Sequence, residues 1–427
     1  MNKNNIFYRD ALSMLTPFRF DIAAKHYYAK YKDVKSNFPL DLYLSHLQVW
    51  NNFSEFNNNN KQNKESFVSE FNNIIDSIEK DGFDESKSVV PIDKSTNSPL
   101  NGAHRIATCI LKEKMVACCE APSESGQLDC SYYFFKNRSV FVEGGLNQTY
   151  LDAMALNYAK LKNNTFMITL FPTALCKFEK AREIIVNSTD VVCEKAVPLG
   201  KYGPFNFIRT LYDGEPWAGN WQVGFQGVNS KAEQCYNAQG PTYVFLVQTD
   251  DPDTLRTLKQ NVRDLYNVGN HSIHINDYHY ETIRIASAVF NQNSINFLNE
   301  LKPTYLKNFE LYFQKYKNWH AIGNHDQDDF CVDASAVLSA YGLRDCRDLD
   351  FLYAGEDINT GLTEINCHNE ELKYYRHHKD DIIFNPNNHF YYNGFKFASP
   401  EVIRQMKKNR SEPKDLVDVQ LLSGVMQ

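Results

Sequence analysis

The clearest stripe in the chain is Phe67, Phe71, Ile74, Ile75 and Ile78, apolar positions spaced i, i+4, i+7, i+8 and i+11 among polar neighbours. That spacing is one face of a helix, and Asp81-Gly82 supplies its stop, because glycine tolerates the left-handed turn that ends a helix. A second stripe, Leu255, Leu258, Val262 and Leu265, predicts a helix over residues 253–266. Short unbroken apolar runs read as strands at 89–92, 166–171, 191–197, 242–248 and 349–353. Further strands are expected at 132–135, 140–142 and 381–384. Helical patterns cover 152–162, 177–186, 280–298, 305–319, 334–341 and 401–409. The first 56 residues read as helical and aromatic, with Phe18, Phe20, Tyr27, Tyr28, Leu42, Tyr43, Leu47 and Trp50 as core candidates. The Asn-rich stretch 57–64 reads as a surface loop. Alternating strands and helices predict an α/β, α+β multidomain chain. Gly144-Gly145 and Pro303 suggest three parts, 1–143, 144–304 and 305–427.

Composition narrows the function. With 427 residues, 43% of them hydrophobic, the chain can bury more than one core. Lys and Arg number 45 against 52 Asp and Glu, a formal charge of -7. That balance disfavours a nucleic-acid partner, which calls for a positive stripe, but leaves room for a local basic pocket. The ten cysteines include no C-x-x-C pair, a pattern that fits reduced thiols better than a disulfide frame or a zinc site. No apolar run approaches the roughly 20 residues of a membrane span. Residues 1–10 are polar and mixed in charge, unlike a secretory signal. A cytoplasmic protein with no membrane partner is expected.

The most informative stretch runs from Cys331 to Leu352. On a strand alternate residues share a face, so Asp348 and Asp350 point the same way about 6.6 Å apart along the chain. Two such carboxylates beside a nucleotide can hold Mg²⁺ against phosphate oxygens. The stretch resembles the nucleotidyltransferase superfamily, in which a strand, a Gly-Ser or Gly-Gly turn opening a helix, and an Asp-x-Asp on the next strand follow in order. Here Ala334-Ser335 stands at the Gly-Ser position, Asp348-Leu349-Asp350 at the Asp-x-Asp, and Tyr341-Gly342-Leu343-Arg344 between them. The resemblance implies a mixed sheet, nucleotide contacts by Ser335 and Arg344, metal ligation by Asp348 and Asp350, and a third catalytic carboxylate at Asp381. The bare alternative is a solvated acidic turn followed by an ordinary strand.

A second candidate is Asn101-Gly102-Ala103-His104-Arg105, a turn that opens a helix after the strand at 89–92. Free helix N–H groups and a bidentate arginine suit a phosphate, and His104 can bond one or move a proton. The segment resembles the ParB/sulfiredoxin-like fold, which includes free-amino-acid kinases and carries Gly-x-His-Arg at a helix start. That resemblance implies that Asn101, Gly102, His104 and Arg105 grip nucleotide phosphates. The plain alternative is a helix capped by Asn101.

The middle part resembles no family. His271, His274, Asp277 and His279 crowd residues 269–281, with Asp277 expected to cap the following helix. A metal site of His274, Asp277 and His279 matches no standard zinc spacing, so structure or substrate contact is the preferred reading. Lys201, Arg209, Glu215 and Trp217 lie on loops that suit an anionic or sugar-like pocket, or plain surface turns.

These readings combine into a transferase with Mg²⁺ and an NTP (ATP or CTP) that moves a nucleotidyl or phosphoryl group to a small hydroxylated acceptor. Bacterial surface-polysaccharide or sugar-activation metabolism is a setting the resemblance implies. The alternatives are a small-molecule kinase working at the N-terminal site, with a degenerate C-terminal domain, and a non-catalytic nucleotide-binding protein. The basic helix with Arg404, Lys407, Lys408 and Arg410 keeps a nucleic-acid role in view, against a solvated helix face.

Overall fold

The computed structural model describes residues 6–55, 61–121 and 128–425, so residues 57–60 of the Asn-rich stretch lie outside the described residues. The architecture is mixed α/β, with three sheets among many helices. The chain packs as two compact units, one of residues 1–33, 37–163 and 190–193, the other of 34–36, 164–189 and 194–427.

In the first unit β1 (Ile6–Asp10) leads to helices α1 (Asp21–Tyr31), α2 (Phe38–Asn51) and α3 (Lys64–Asp81). Then come β2 (Val90–Asp93), α4 (Ala103–Leu111), β3 (Met115–Ala121), α5 (Tyr132–Ser139) and α6 (Gln148–Leu161). The sheet order is β1-β3-β2, antiparallel between β1 and β3 and parallel between β2 and β3. The expected stripe packs as α3, with Phe67, Phe71, Ile75 and Ile78 buried, a capping box of Asn63 and Ser66 at its start, and Gly82 at φ 78° closing it. Phe20, Tyr28, Leu42, Tyr43 and Leu47 are buried, whereas Phe18 is 45% exposed. Residues 132–135, expected as a strand, open α5 instead, because Ser131 caps a helix there by accepting from the Phe134 N–H. Residues 140–142 are a turn after that helix rather than a strand.

The second unit holds β4 (Thr165–Leu170), α7 (Phe178–Ser188), α8 (Gly203–Leu211), α9 (Gln226–Cys235), β6 (Thr242–Gln248), α10 (Pro252–Tyr266) and β7 (Ile273–Ile275). With β5 (Asp190–Val197) these strands form a sheet of order β5-β6-β4-β7, in which β4 runs antiparallel to both β6 and β7. The helix expected over 280–298 is two, α11 (His279–Val289) and α12 (Gln292–Glu300), since Asn291 starts the second by accepting from the Ser294 N–H. The N-cap of α11 is Tyr278 rather than Asp277, and Glu281 accepts from both backbone N–H groups.

The same unit continues with α13 (Lys307–Gly323), β8 (Phe330–Val332), α14 (Ala334–Ala340), β9 (Leu349–Tyr353), β10 (Ile365–Cys367) and α15 (Lys379–Phe384). The hairpin β11 (His389–Tyr392) and β12 (Phe395–Ala398) and the helices α16 (Pro400–Arg410) and α17 (Pro413–Val425) complete it. Its mixed sheet has the order β10-β9-β8-β12-β11. One face packs on an aromatic layer in which Phe309, Phe313 and Tyr316 of α13 meet Tyr392, Phe395 and Phe397. Residues 381–384, expected as a strand, are the end of α15.

Candidate active site

The strand–turn–helix of β8 and α14 and the incoming β9 meet at one cleft of about 560 Å³. Asp348 immediately precedes β9 and Asp350 is its second residue; both line the cleft, while Leu349 between them is fully buried. The strand alternation therefore delivers both carboxylates to one surface. Ala334 and Ser335 line the same cleft from the start of α14.

Ala334 stands at φ 51°, in the left-handed region where an L-residue with a Cβ pays roughly 1–2 kcal/mol and glycine pays almost nothing. The backbone at this turn has the conformation that a glycine would serve.

Asp333, the residue before the turn, is fully buried. Its Oδ2 accepts from the Tyr375 hydroxyl and lies 3.1 Å from His368 Nδ1, while its Oδ1 has no partner. Its backbone N–H donates to the Asp350 carbonyl at 2.9 Å, which ties the turn to β9. Burial opposes charge on His368, but Asp333 beside it outweighs that penalty and pushes the imidazole up to about 9. His368 is therefore a cation at neutral pH, and it lines the cleft. Burial first, then Asp333 and Asp348, push the Asp350 carboxyl up to about 7.

The cleft is also lined by Arg344, Arg347, Lys407, Arg410 and Lys414 and by Asp418, and among the described residues all of these cations but Arg347 are ion-paired with acidic side chains. Arg344 Nε and Nη2 each donate to the Asp418 carboxylate at 2.6 Å. Buried Lys407 reaches Asp418 at 2.7 Å and Asp415 at 3.2 Å, and Arg410 grips Asp415 at 2.9 Å. These pairs lock α16 to α17. On the helix expected to offer a basic face, Arg404, Lys407 and Arg410 are all ion-paired, Arg404 with Glu401.

Asp381 is placed elsewhere. It lies on a helix rather than on the expected strand, and its carboxylate faces His377 Nδ1 at 3.0 Å and accepts from the side-chain amides of Asn385 and Asn388. Asp345 is a residue that the sequence reading passed over. Its carboxylate accepts from the Asn308 and Phe309 N–H groups, 3.0 Å each, and so caps α13 from a distant loop. His368 and Asp333 were also missed as a pair, because 35 residues separate them and only the fold joins them.

The N-terminal candidate is arranged differently. Gly102 takes φ 84° at the start of α4, and a Cβ there would sit 2.8 Å from the Val90 side chain, so glycine is required. Asn101 Oδ1 accepts from the Gly102 N–H at 2.6 Å. Arg105 donates to Ser88 Oγ and the Val89 carbonyl. His104 turns inward, with Nε2 2.8 Å from the Tyr43 hydroxyl and its ring edge-on to Phe71 at 4.5 Å. Burial, then Lys25 and Lys61, hold this imidazole well below its ordinary value, so it is neutral packing material. Of the four residues expected to hold a phosphate, Arg105 and His104 are thus engaged with the protein itself.

Among the described residues, no three or more His, Cys, Asp or Glu side chains converge where a metal ion could sit. That applies to His274, Asp277 and His279 as well. Asp348 and Asp350 offer two hard oxygen donors, a number that suits Mg²⁺ when substrate phosphates and waters complete its shell. No described helix is long and apolar enough to cross a membrane.

No family model, curated protein or solved structure matches the chain. The site must be read from its own chemistry.

Proposed function

We propose that the second unit binds a Mg²⁺–NTP in the cleft at Asp348 and Asp350 and transfers a nucleotidyl or phosphoryl group to the hydroxyl of a small acceptor. The observation that carries this reading is one cleft lined by Asp348 and Asp350, by the left-handed turn at Ala334-Ser335, and by Arg347 and His368. The likeness of residues 331–352 to the nucleotidyltransferase superfamily supports the same reading.

Asp348 and Asp350 would hold the metal, which when bound neutralises charge that builds on the phosphate oxygens. Ser335 would contact the phosphates. His368, cationic through Asp333, and Arg347 supply charge along the phosphate chain. In nucleotidyl transfer the acceptor oxygen bonds to the α-phosphorus, pyrophosphate leaves with the bonding electrons, and the hydroxyl proton passes to water.

Asp348→Asn is expected to abolish Mg²⁺-dependent pyrophosphate release and to leave far-UV circular dichroism unchanged, while Arg105→Ala leaves turnover intact. Loss of ADP or AMP formation in Arg105→Ala alone would move the chemistry to the N-terminal turn. Turnover in neither variant nor wild type, with nucleotide still bound, would make the chain a non-catalytic nucleotide binder.

A further inference from the structure

A second cavity in the same unit, of about 400 Å³, shares no lining residue with the carboxylate cleft. Lys259 and Arg263 project into it from one face of α10, one turn apart, and Lys231 faces them from α9. Among the described residues none of these three half-buried cations has a carboxylate within 4.0 Å, whereas buried Arg19, Lys25, Arg209 and Lys407 each have one. Lys231 donates to the Asn270 carbonyl and Lys259 to the Ile275 carbonyl, both neutral partners. Arg263 Nε is buried without a partner.

His274 supplies an independent sign of a missing ligand. It is 9% exposed, it lines the cavity, and its Nε2 is buried with no hydrogen-bond partner. Burial, then Lys259 and Lys231, keep its ring well below the ordinary histidine value, so it is neutral. In the Nε2–H tautomer it is one more donor. Three carboxylates also line the cavity: Glu281 accepts from the Asp277 and Tyr278 N–H groups and lies 3.5 Å from Arg284, and exposed Glu215 and Asp277 form no ion pair with the three cations, although Asp277 and Glu281 are near enough to favour the charge on Lys259. At the mouth Trp217, 46% exposed, stands edge-on to Tyr212 at 4.8 Å, and Tyr212 meets His274 at 4.7 Å. Half-exposed tryptophan beside half-buried cations suits a molecule with an anionic end and a flat or sugar-like body.

We infer that this cavity is an oxyanion site, which holds the phosphate of a small phosphorylated metabolite on Lys231, Lys259, Arg263 and His274 with the rest of that molecule against Trp217. It stands apart from the nucleotide cleft and does not depend on it.

The test is a titration of the full-length protein, without Mg²⁺ and at fixed ionic strength, with inorganic phosphate, pyrophosphate and ribose 5-phosphate. Binding is followed by calorimetry and by the imidazole resonances of selectively labelled histidine. Binding of at least one probe is expected, with the His271 and His274 resonances displaced. Loss of a charge-assisted contact in Lys259→Met or Arg263→Gln should weaken it about 10-fold or more, and Asp348→Asn/Asp350→Asn should leave it unchanged. Ribose 5-phosphate binding more tightly than phosphate, with the difference lost in Trp217→Ala, assigns the organic body to the mouth; equal affinities would overturn that part. The wild-type resonances guard against variants that fail to fold. No binding by any probe, binding that leaves both histidines unmoved, or binding lost with the Asp348/Asp350 pair would overturn the assignment.

Discussion

Asp350 carries the most consequential charge in the second unit. Its carboxyl, raised to about 7 by burial and by Asp333 and Asp348, binds a proton more tightly folded than unfolded. Folded protein therefore loses stability as pH rises from about 4 through 7, the reverse of a salt-bridged carboxylate. Asp350→Asn keeps the shape without the charge and is expected to raise the melting temperature of the metal-free protein at pH 8 but not at pH 4. The rise from 3.8 to about 7 spans roughly three pH units at about 1.4 kcal/mol each, so a stabilisation of a few kcal/mol is expected; calorimetry at the two pH values checks it. Ala334 gives a second residue-scale prediction. Relief of a left-handed alanine, worth roughly 1–2 kcal/mol, against loss of one buried methyl, about 0.8, leaves Ala334→Gly more stable by about 0.5–1 kcal/mol in urea denaturation. Ala334→Val should be destabilising. The Asp348/Asp350 pair was legible from strand alternation alone. The Asp333–His368–Tyr375 contact was not, because a pair joined by tertiary folding leaves no periodic trace in the sequence.

At the scale of elements, local signals fared unevenly for stated reasons. The α3 and α10 stripes and the strands over 242–248 and 349–353 were readable from period alone, since their patterns are long or unbroken. The stretches 132–135 and 381–384 misled because three or four aromatic or apolar residues in a row suit a strand or a buried helix equally. Their caps, Ser131 and His378, decide for helix. The hairpin of β11 and β12 had a usable signal that was passed over. Asn393-Gly394 between two aromatic runs takes φ 49° and 84°, the turn such a pair favours. Two element-scale predictions follow from packing. Phe313, 2% exposed in the aromatic layer between α13 and the hairpin, should cost about 3–5 kcal/mol as Phe313→Ala. Asp418→Ala strips Arg344 of its carboxylate and leaves buried Lys407 with Asp415 alone, so chemical denaturation should show a loss smaller than the roughly 3–5 kcal/mol of a fully orphaned buried charge.

At the scale of the whole molecule, the mixed α/β class was legible from the alternation of strands and helices, and the sheets at 165–275 and 330–398 bear it out. What the sequence did not convey was which phosphate-like turn would be free to act. Gly102 and Ala334 both adopt left-handed backbone at a helix start, yet His104 is spent on packing with Tyr43 and Phe71, while Ser335, Asp348 and Asp350 face an open cleft. The central claim is that nucleotide and Mg²⁺ meet at those carboxylates. Thermal unfolding with ATP, CTP, GTP and UTP, with and without Mg²⁺, on wild type and Asp348→Asn/Asp350→Asn tests it most directly. A ligand at about 100 times its dissociation constant adds roughly 2.7 kcal/mol, a readable rise. The account predicts a Mg²⁺-dependent rise for at least one nucleotide in wild type and none in the double variant. A rise of equal size in both, or no rise with any nucleotide, would contradict it.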